Sequence, residues 1–116
     1  MMFFDQTVVR VRAGVRIDRG GNQIPDWSAD AVSRQTILEV NVQPTTASEA
    51  TTPERVAVVT GWHLQSPPGV DVDVTAMDRI EWAGMLLEVV GEVARWFDPL
   101  DGTVHHVEFD LVRATG

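Results

Sequence analysis

Residues 79–92 read Arg79-Ile80-Glu81-Trp82-Ala83-Gly84-Met85-Leu86-Leu87-Glu88-Val89-Val90-Gly91-Glu92, and this stretch decides the fold class. Ile80 and Trp82 share one face of a short strand, Ala83-Gly84 makes a two-residue turn, and residues 85–90 return as the next strand. Gly91 marks a bulge before the strand continues through 93–96. Downstream, Asp98-Pro99-Leu100-Asp101-Gly102 is a strong turn signal. The closing strand covers 103–113, with His105, Val107, Phe109 and Leu111 on one face and His106, Glu108 and Asp110 on the other.

The same alternation continues upstream. Residues 55–65 form a strand with Val56, Val58, Thr60, Trp62 and Leu64 facing the core, broken by Ser66-Pro67-Pro68-Gly69 because proline removes ladder donors. Residues 35–43 put Leu38, Val40 and Val42 on one face, with Glu39 and Asn41 opposite. From 7 to 17, Val9, Val11, Ala13, Val15 and Ile17 alternate with Arg10, Arg12 and Arg16, which reads as one strand with the arginines outward. Asp18-Arg19-Gly20-Gly21-Asn22 supplies a turn, and residues 26–32 fit a single helical turn capped by Asp26 or Ser28. Residues 44–54 are rich in Thr, Ala and Ser without apolar periodicity, and read as a long exposed loop. Nineteen valines and ten threonines favour pleated over helical backbone. The expectation is an all-β chain, one domain over 1–116, folded as a small antiparallel barrel or sandwich of six to seven strands with at most one helical turn.

Composition excludes several function classes. The 116 residues contain no cysteine, so disulfides, thiolate nucleophiles and sulfur-ligated metals are out. All nine cations are arginine, and the net charge of −8 argues against a protein that grips nucleic acid over a broad basic face. No apolar run approaches the ~20 residues that span a bilayer, so no membrane partner is expected. Met1-Met2-Phe3-Phe4 ends at Asp5 and Gln6 without the features of a signal peptide, so synthesis in the cytoplasm is expected.

No constellation of catalytic type is present. His105 and His106 are neighbours on a strand and point to opposite faces, His105 beside Val107 and His106 outward, while His63 lies on another strand; no metal is expected from that spacing. Asp71-Val72-Asp73 resembles a cation-holding acidic pair and equally a solvated loop. No nucleophile elbow, phosphate loop or paired-carboxylate motif occurs, so neither catalysis nor a cofactor is expected. Protein contact remains. Arg10, Arg12 and Arg16 form a basic stripe suited to carboxylate-bearing neighbours, since the planar guanidinium pairs carboxylates bidentately. Trp62 and Trp82 have core parity, whereas Trp27 and Trp96 sit beside turns, where an exposed indole anchors an interface.

One order of motifs now stands out: the alternating first strand, Asp18-Arg19-Gly20-Gly21-Asn22, Pro25-Asp26-Trp27-Ser28, the Pro-Pro-Gly loop, Asp78-Arg79-Ile80-Glu81-Trp82-Ala83-Gly84, Leu87-Glu88-Val89-Val90-Gly91-Glu92, and a last strand ending Leu111-Val112-Arg113. Over nearly the whole chain this resembles the head-completion or stopper proteins of long-tailed bacteriophages, the head-to-tail joining family of the virion neck. The resemblance implies a β-barrel that assembles with copies of itself into a ring. That ring lies between the portal and adaptor on one side and the tail-terminator or tail on the other. It closes the filled capsid and docks the tail, while DNA passes through without sequence-specific binding. It also implies that long loops contact a neighbouring ring or gate the channel. Thr45, Thr46, Ser48, Glu49, Thr51 and Thr52 are the candidates for that loop here. The competing readings are another neck or tail β protein, such as a tail terminator or minor tail protein, a free-standing β-barrel ligand-binding module, and a small hydrolase.

Overall fold

The computed structural model describes residues 3–48 and 57–114. Among these residues are eight strands: β1 (Gln6–Arg12), β2 (Gly14–Ile17), β3 (Gln23–Asp26), β4 (Ser33–Ser48), β5 (Ala57–Gln65), β6 (Arg79–Trp82), β7 (Met85–Phe97) and β8 (Val104–Arg113). Six of them close an antiparallel barrel in the order β1-β4-β5-β8-β7-β6, and β2 and β3 form a separate two-stranded flap. Closure removes the unpaired edges that an open sheet of this size would expose.

The barrel interior is filled. Val8, Val40, Val42, Leu64, Ile80, Leu87, Val107, Phe109 and Leu111 pack into one cluster, joined by Val72 and Val74 from the connection between β5 and β6. The β6–β7 hairpin has the two-residue turn read from the sequence: Ala83 and Gly84 both hold positive φ, at 51° and 76°, which sets the strand twist of a tight hairpin. Gly91 sits at φ 73° where the β7–β8 register slips between Val90 and Ala94, so the bulge is there as well. Residues 28–32 form one isolated turn, with Val32 N–H donating to Ser28 O at 3.1 Å and Asp26 accepting from Ser28 N–H at 3.0 Å.

Four local expectations are corrected. The strand expected over 7–17 breaks at Ala13. A Cβ on Gly14 would lie 2.7 Å from the Ala31 carbonyl, so the glycine allows a close crossing there as the chain leaves the barrel for the flap. In β4 the pairing with β1 slips between Val8–Ile37 and Gln6–Val40, and Glu39 takes φ 59°. This bulge sends Leu38 outward and Ile37 onto the core, reversing the parity read for Leu38. Thr60 is the extra residue between Gly61 and Val59 where β5 pairs with Thr45 and Thr46, so Thr60 faces solvent instead of the core. Residues 44–48, expected as loop, belong to β4, and residues 49–54 of that expected loop lie outside the described residues.

Gly61 marks a close approach in the wall: a Cβ there would run into the Leu111 carbonyl, a backbone atom that cannot swing aside. Gly61→Ala is expected to cost roughly 1–3 kcal/mol, as overpacked sites do; a thermal midpoint equal to that of the unsubstituted protein would contradict the close approach.

Candidate interaction surfaces

Three surfaces are built from the residues that the sequence singled out. The first is an arginine-fastened strap. Residues 66–78 link β5 to β6 and carry Asp71-Val72-Asp73-Val74 across one end of the barrel. Val72 and Val74 point into the core. The Val72 carbonyl accepts from Val74 N–H at 2.9 Å, and guanidinium groups donate to the carbonyls of Val72, Asp73 and Val74. Arg95 donates to the carbonyls of Val72 and Val74 at 3.1 and 3.0 Å and to Asp71 at 3.1 Å, and Arg10 donates to the Asp73 carbonyl at 3.1 Å and its carboxylate at 3.0 Å. Arg12 holds Asp78 through two bonds of 2.9 Å.

The arginine stripe is thereby divided. Arg10 shares the parity of core-facing Val8 and is only 7 % exposed, contrary to the outward face expected for it. Arg10 and Arg12 are both engaged with the strap, while Arg16 lies exposed on the flap and forms no salt bridge among the described residues. Asp71 and Asp73 likewise face arginine, and no cluster able to hold a metal ion occurs among the described residues. Asp-Val-Asp-Val alternates with the same period as a half-buried strand, which marks Val72 and Val74 as inward-facing but carries no sign of Arg10 as the partner.

The second surface is the flap. Between β2, β3 and the barrel wall runs a cleft of about 560 Å³, lined by Val15, Ile24, Trp27 and Met77 among others. Trp27 is half-buried in its wall with the Arg79 guanidinium 4.1 Å from the ring centroid, a cation–π contact. Trp62 and Trp82, by contrast, meet edge to face at 6.3 Å and pack against the core, as their parity indicated.

The third surface runs over β5, β8 and the far end of β7. His63 bonds Asp110 and Glu108 through its two ring nitrogens, both at 2.8 Å, and His106 bonds the other Glu108 oxygen at 2.8 Å. Trp96 stacks on His106 at 6.0 Å. Here His106 is half-buried and His105 exposed, the reverse of the expected arrangement, because the indole of Trp96 covers His106. Trp96, Phe97 and Leu100 form an exposed apolar tip where β7 turns into β8.

The His63 cluster sets a pH dependence. Burial opposes the imidazolium, but the bonds to Asp110 and Glu108 outweigh it and raise the His63 pKa above its ordinary 6.5. Burial likewise opposes ionised Glu108, and bonds from His106 and His63 outweigh it and lower its pKa from 4.5. A raised histidine stabilises the fold below its unfolded pKa and ceases to as pH rises through the folded value. A lowered carboxylate stabilises above its unfolded pKa and ceases to as pH falls through the folded value. The cluster therefore contributes most between the ordinary values of 4.5 and 6.5. Thermal midpoints measured from pH 6 to 9 should fall as His63 deprotonates, and His63→Gln should remove that slope; an unchanged slope in the variant would contradict the assignment.

The candidate loop residues divide too. Thr45 and Thr46 lie in β4 within the paired arm, with Thr60 Oγ1 donating to the Thr45 carbonyl at 3.2 Å. Ser48 pairs with Ala57, and Glu49, Thr51 and Thr52 lie outside the described residues.

No protein-family model matches the chain, and no curated protein matches it. Among solved structures, a chain of the virion of the native gene transfer agent particle is similar at 18 % identity and a TM-score of 0.53, over 95 % of this chain and 96 % of that one. The phage-like element PBSX protein xkdH from Bacillus subtilis is also similar, at 17 % identity and a TM-score of 0.43, over 97 % and 96 % of the two chains. The first likeness shows a shared fold from end to end.

Proposed function

We propose that the chain is a structural subunit of a phage-type virion, placed at the neck as a ring that closes the filled head and docks the tail. The observation that carries this is the end-to-end likeness to a chain of a gene transfer agent virion, over 95 % of this chain and 96 % of that one. The neck position rests on the motif order from Asp18 to Arg113, above all Asp78-Arg79-Ile80-Glu81-Trp82-Ala83-Gly84. The barrel's own interior is packed with side chains, so DNA passes between subunits, through the centre of the ring, and not through any one barrel. A net charge of −8 per copy lets a duplex slide without tight phosphate contacts. The reading assigns the chain binding and assembly, with no cofactor and no membrane step.

Deleting the gene and imaging the particles tests it. The expected products are DNA-filled or leaking heads beside finished, unattached tails. Heads without any properly ended tail would assign the chain as a tail terminator or minor tail protein instead. Normal tailed particles would overturn both assignments.

A further inference from the structure

The β5–β8 seam sits at the root of the β4–β5 arm. β5 pairs with β8 from Trp62 to Gln65, and from Gly61 outward it pairs with β4 alone. Leu64, Phe109 and Leu111 belong to the core and Trp62 packs against it. The outer half of the seam is therefore His63 opposite Asp110 and Gln65 opposite Glu108. His63 joins the two strands across that face, with Nδ1 2.8 Å from Asp110 and Nε2 2.8 Å from Glu108.

A ring nitrogen facing an ionised carboxylate at this distance must carry a proton. Both nitrogens face one, so the geometry holds His63 as the imidazolium. Burial opposes that charge, and the two bonds outweigh it. Among the described residues, Glu108 and Asp110 form salt bridges with histidines only. The other charged groups of the neighbouring strands are placed elsewhere. On β7, Glu92 lies in the bulge and Arg95 is turned to the strap. On β8, Arg113 lies over the Trp62 ring, and His106 bonds Glu108 with His105 bonded behind it. Along this edge β4 carries Asn41, Gln43 and Thr45, which do not ionise.

Loss of one ring proton would set a bare nitrogen against a carboxylate oxygen, acceptor against acceptor. Glu108 is also held by His106, and its side chain is 26 % exposed. The Asp110 side chain is 61 % exposed and has only His63 as a partner among the described residues. The remaining N–H therefore stays with Glu108, and Asp110 turns into water.

We infer that His63 is a proton-operated staple at the arm root: with both ring nitrogens protonated it ties β5 to β8, and with one it releases Asp110 and lets Trp62 and His63 open from β8. The staple does not rest on the neck placement, and its failure leaves that reading untouched.

Nitrogen-15 NMR of the imidazole rings at pH 6 should find both His63 nitrogens protonated. Amide exchange over 61–65 and 109–112, divided by the intrinsic rate at each pH, should rise about tenfold from pH 6 to 9, since a hydrogen bond to a charged group contributes about that factor. The β6–β7 hairpin should show no such rise. His63→Gln should abolish it. Asp110→Asn should also abolish it and keep the seam closed at pH 9, because the amide can turn its oxygen to a ring N–H or its NH2 to a bare nitrogen. A bare His63 nitrogen at pH 6, an equal rise over β6–β7, a rise that persists in either variant, or a seam open at both pH values in Asp110→Asn overturns the staple.

Discussion

Asp78→Ala is expected to lower stability by about 3 kcal/mol, the lower end of what truncating a buried ion pair costs. Asp78 is 2 % exposed, accepts two 2.9 Å bonds from Arg12, and accepts the Thr75 N–H at 2.8 Å. Its loss strands a guanidinium and a backbone donor at the point where the strap enters β6. The lower end applies because the Arg12 side chain is 36 % exposed and regains water. The melting temperature should fall by on the order of 10 °C in a domain of this size. Burial opposes the Asp78 carboxylate, but Arg12 and Thr75 outweigh it and hold its pKa below the ordinary 3.8. Its stabilisation is therefore present above 3.8 and disappears as pH falls through the folded value, so the variant should also lose that part of acid unfolding. Arg12→Met with Asp78→Leu should recover much of the stability, because the cost lies in the unpaired charge. An unchanged melting temperature for Asp78→Ala would show that the Arg12–Asp78 pair adds nothing to the hold of Arg10, Arg95, Val72 and Val74 on the strap.

Shortening the β4–β5 arm is expected to leave the barrel folded and to abolish particle assembly. β4 pairs with β1 only from Ser33 to Val40, and β5 pairs with β8 only from Trp62 to Gln65. Beyond Thr45 and Gly61 the two strands pair with each other alone. Replacing residues 46–60 by an Asn-Gly turn joins Thr45 to Gly61 by the shortest hairpin geometry and removes nothing from the described core. Circular dichroism should show a folded protein melting close to the full-length chain. Complementation of a gene deletion should fail as completely as with no protein at all. Full complementation by the shortened chain would remove the arm from any role in docking or gating.

What the sequence carried was period and punctuation. The Ala83-Gly84 hairpin, the Gly91 bulge, the Asp98–Gly102 turn and the core faces of β6 and β8 were legible because each has a local cause. The misplaced faces have non-local causes. Leu38 turns outward because of one inserted residue at Glu39, a register event that alternation cannot signal. Arg10 turns inward because strap carbonyls from residues 63 positions away require donors there. Among the described residues, Arg10, Arg12, Arg34, Arg79 and Arg95 form salt bridges inside the chain, so the stripe read as a contact face is largely internal fastening. Trp27 was legible as a residue beside a turn, but the cleft it lines exists only because the flap folds back over β6 and β7.

Electron cryomicroscopy of the intact particle, at a resolution that traces strands, tests the central claim most directly. The account predicts a closed ring of six-stranded barrels at the head–tail junction. Density for this chain in the capsid shell or along the tail tube, with other proteins filling the junction, would contradict it.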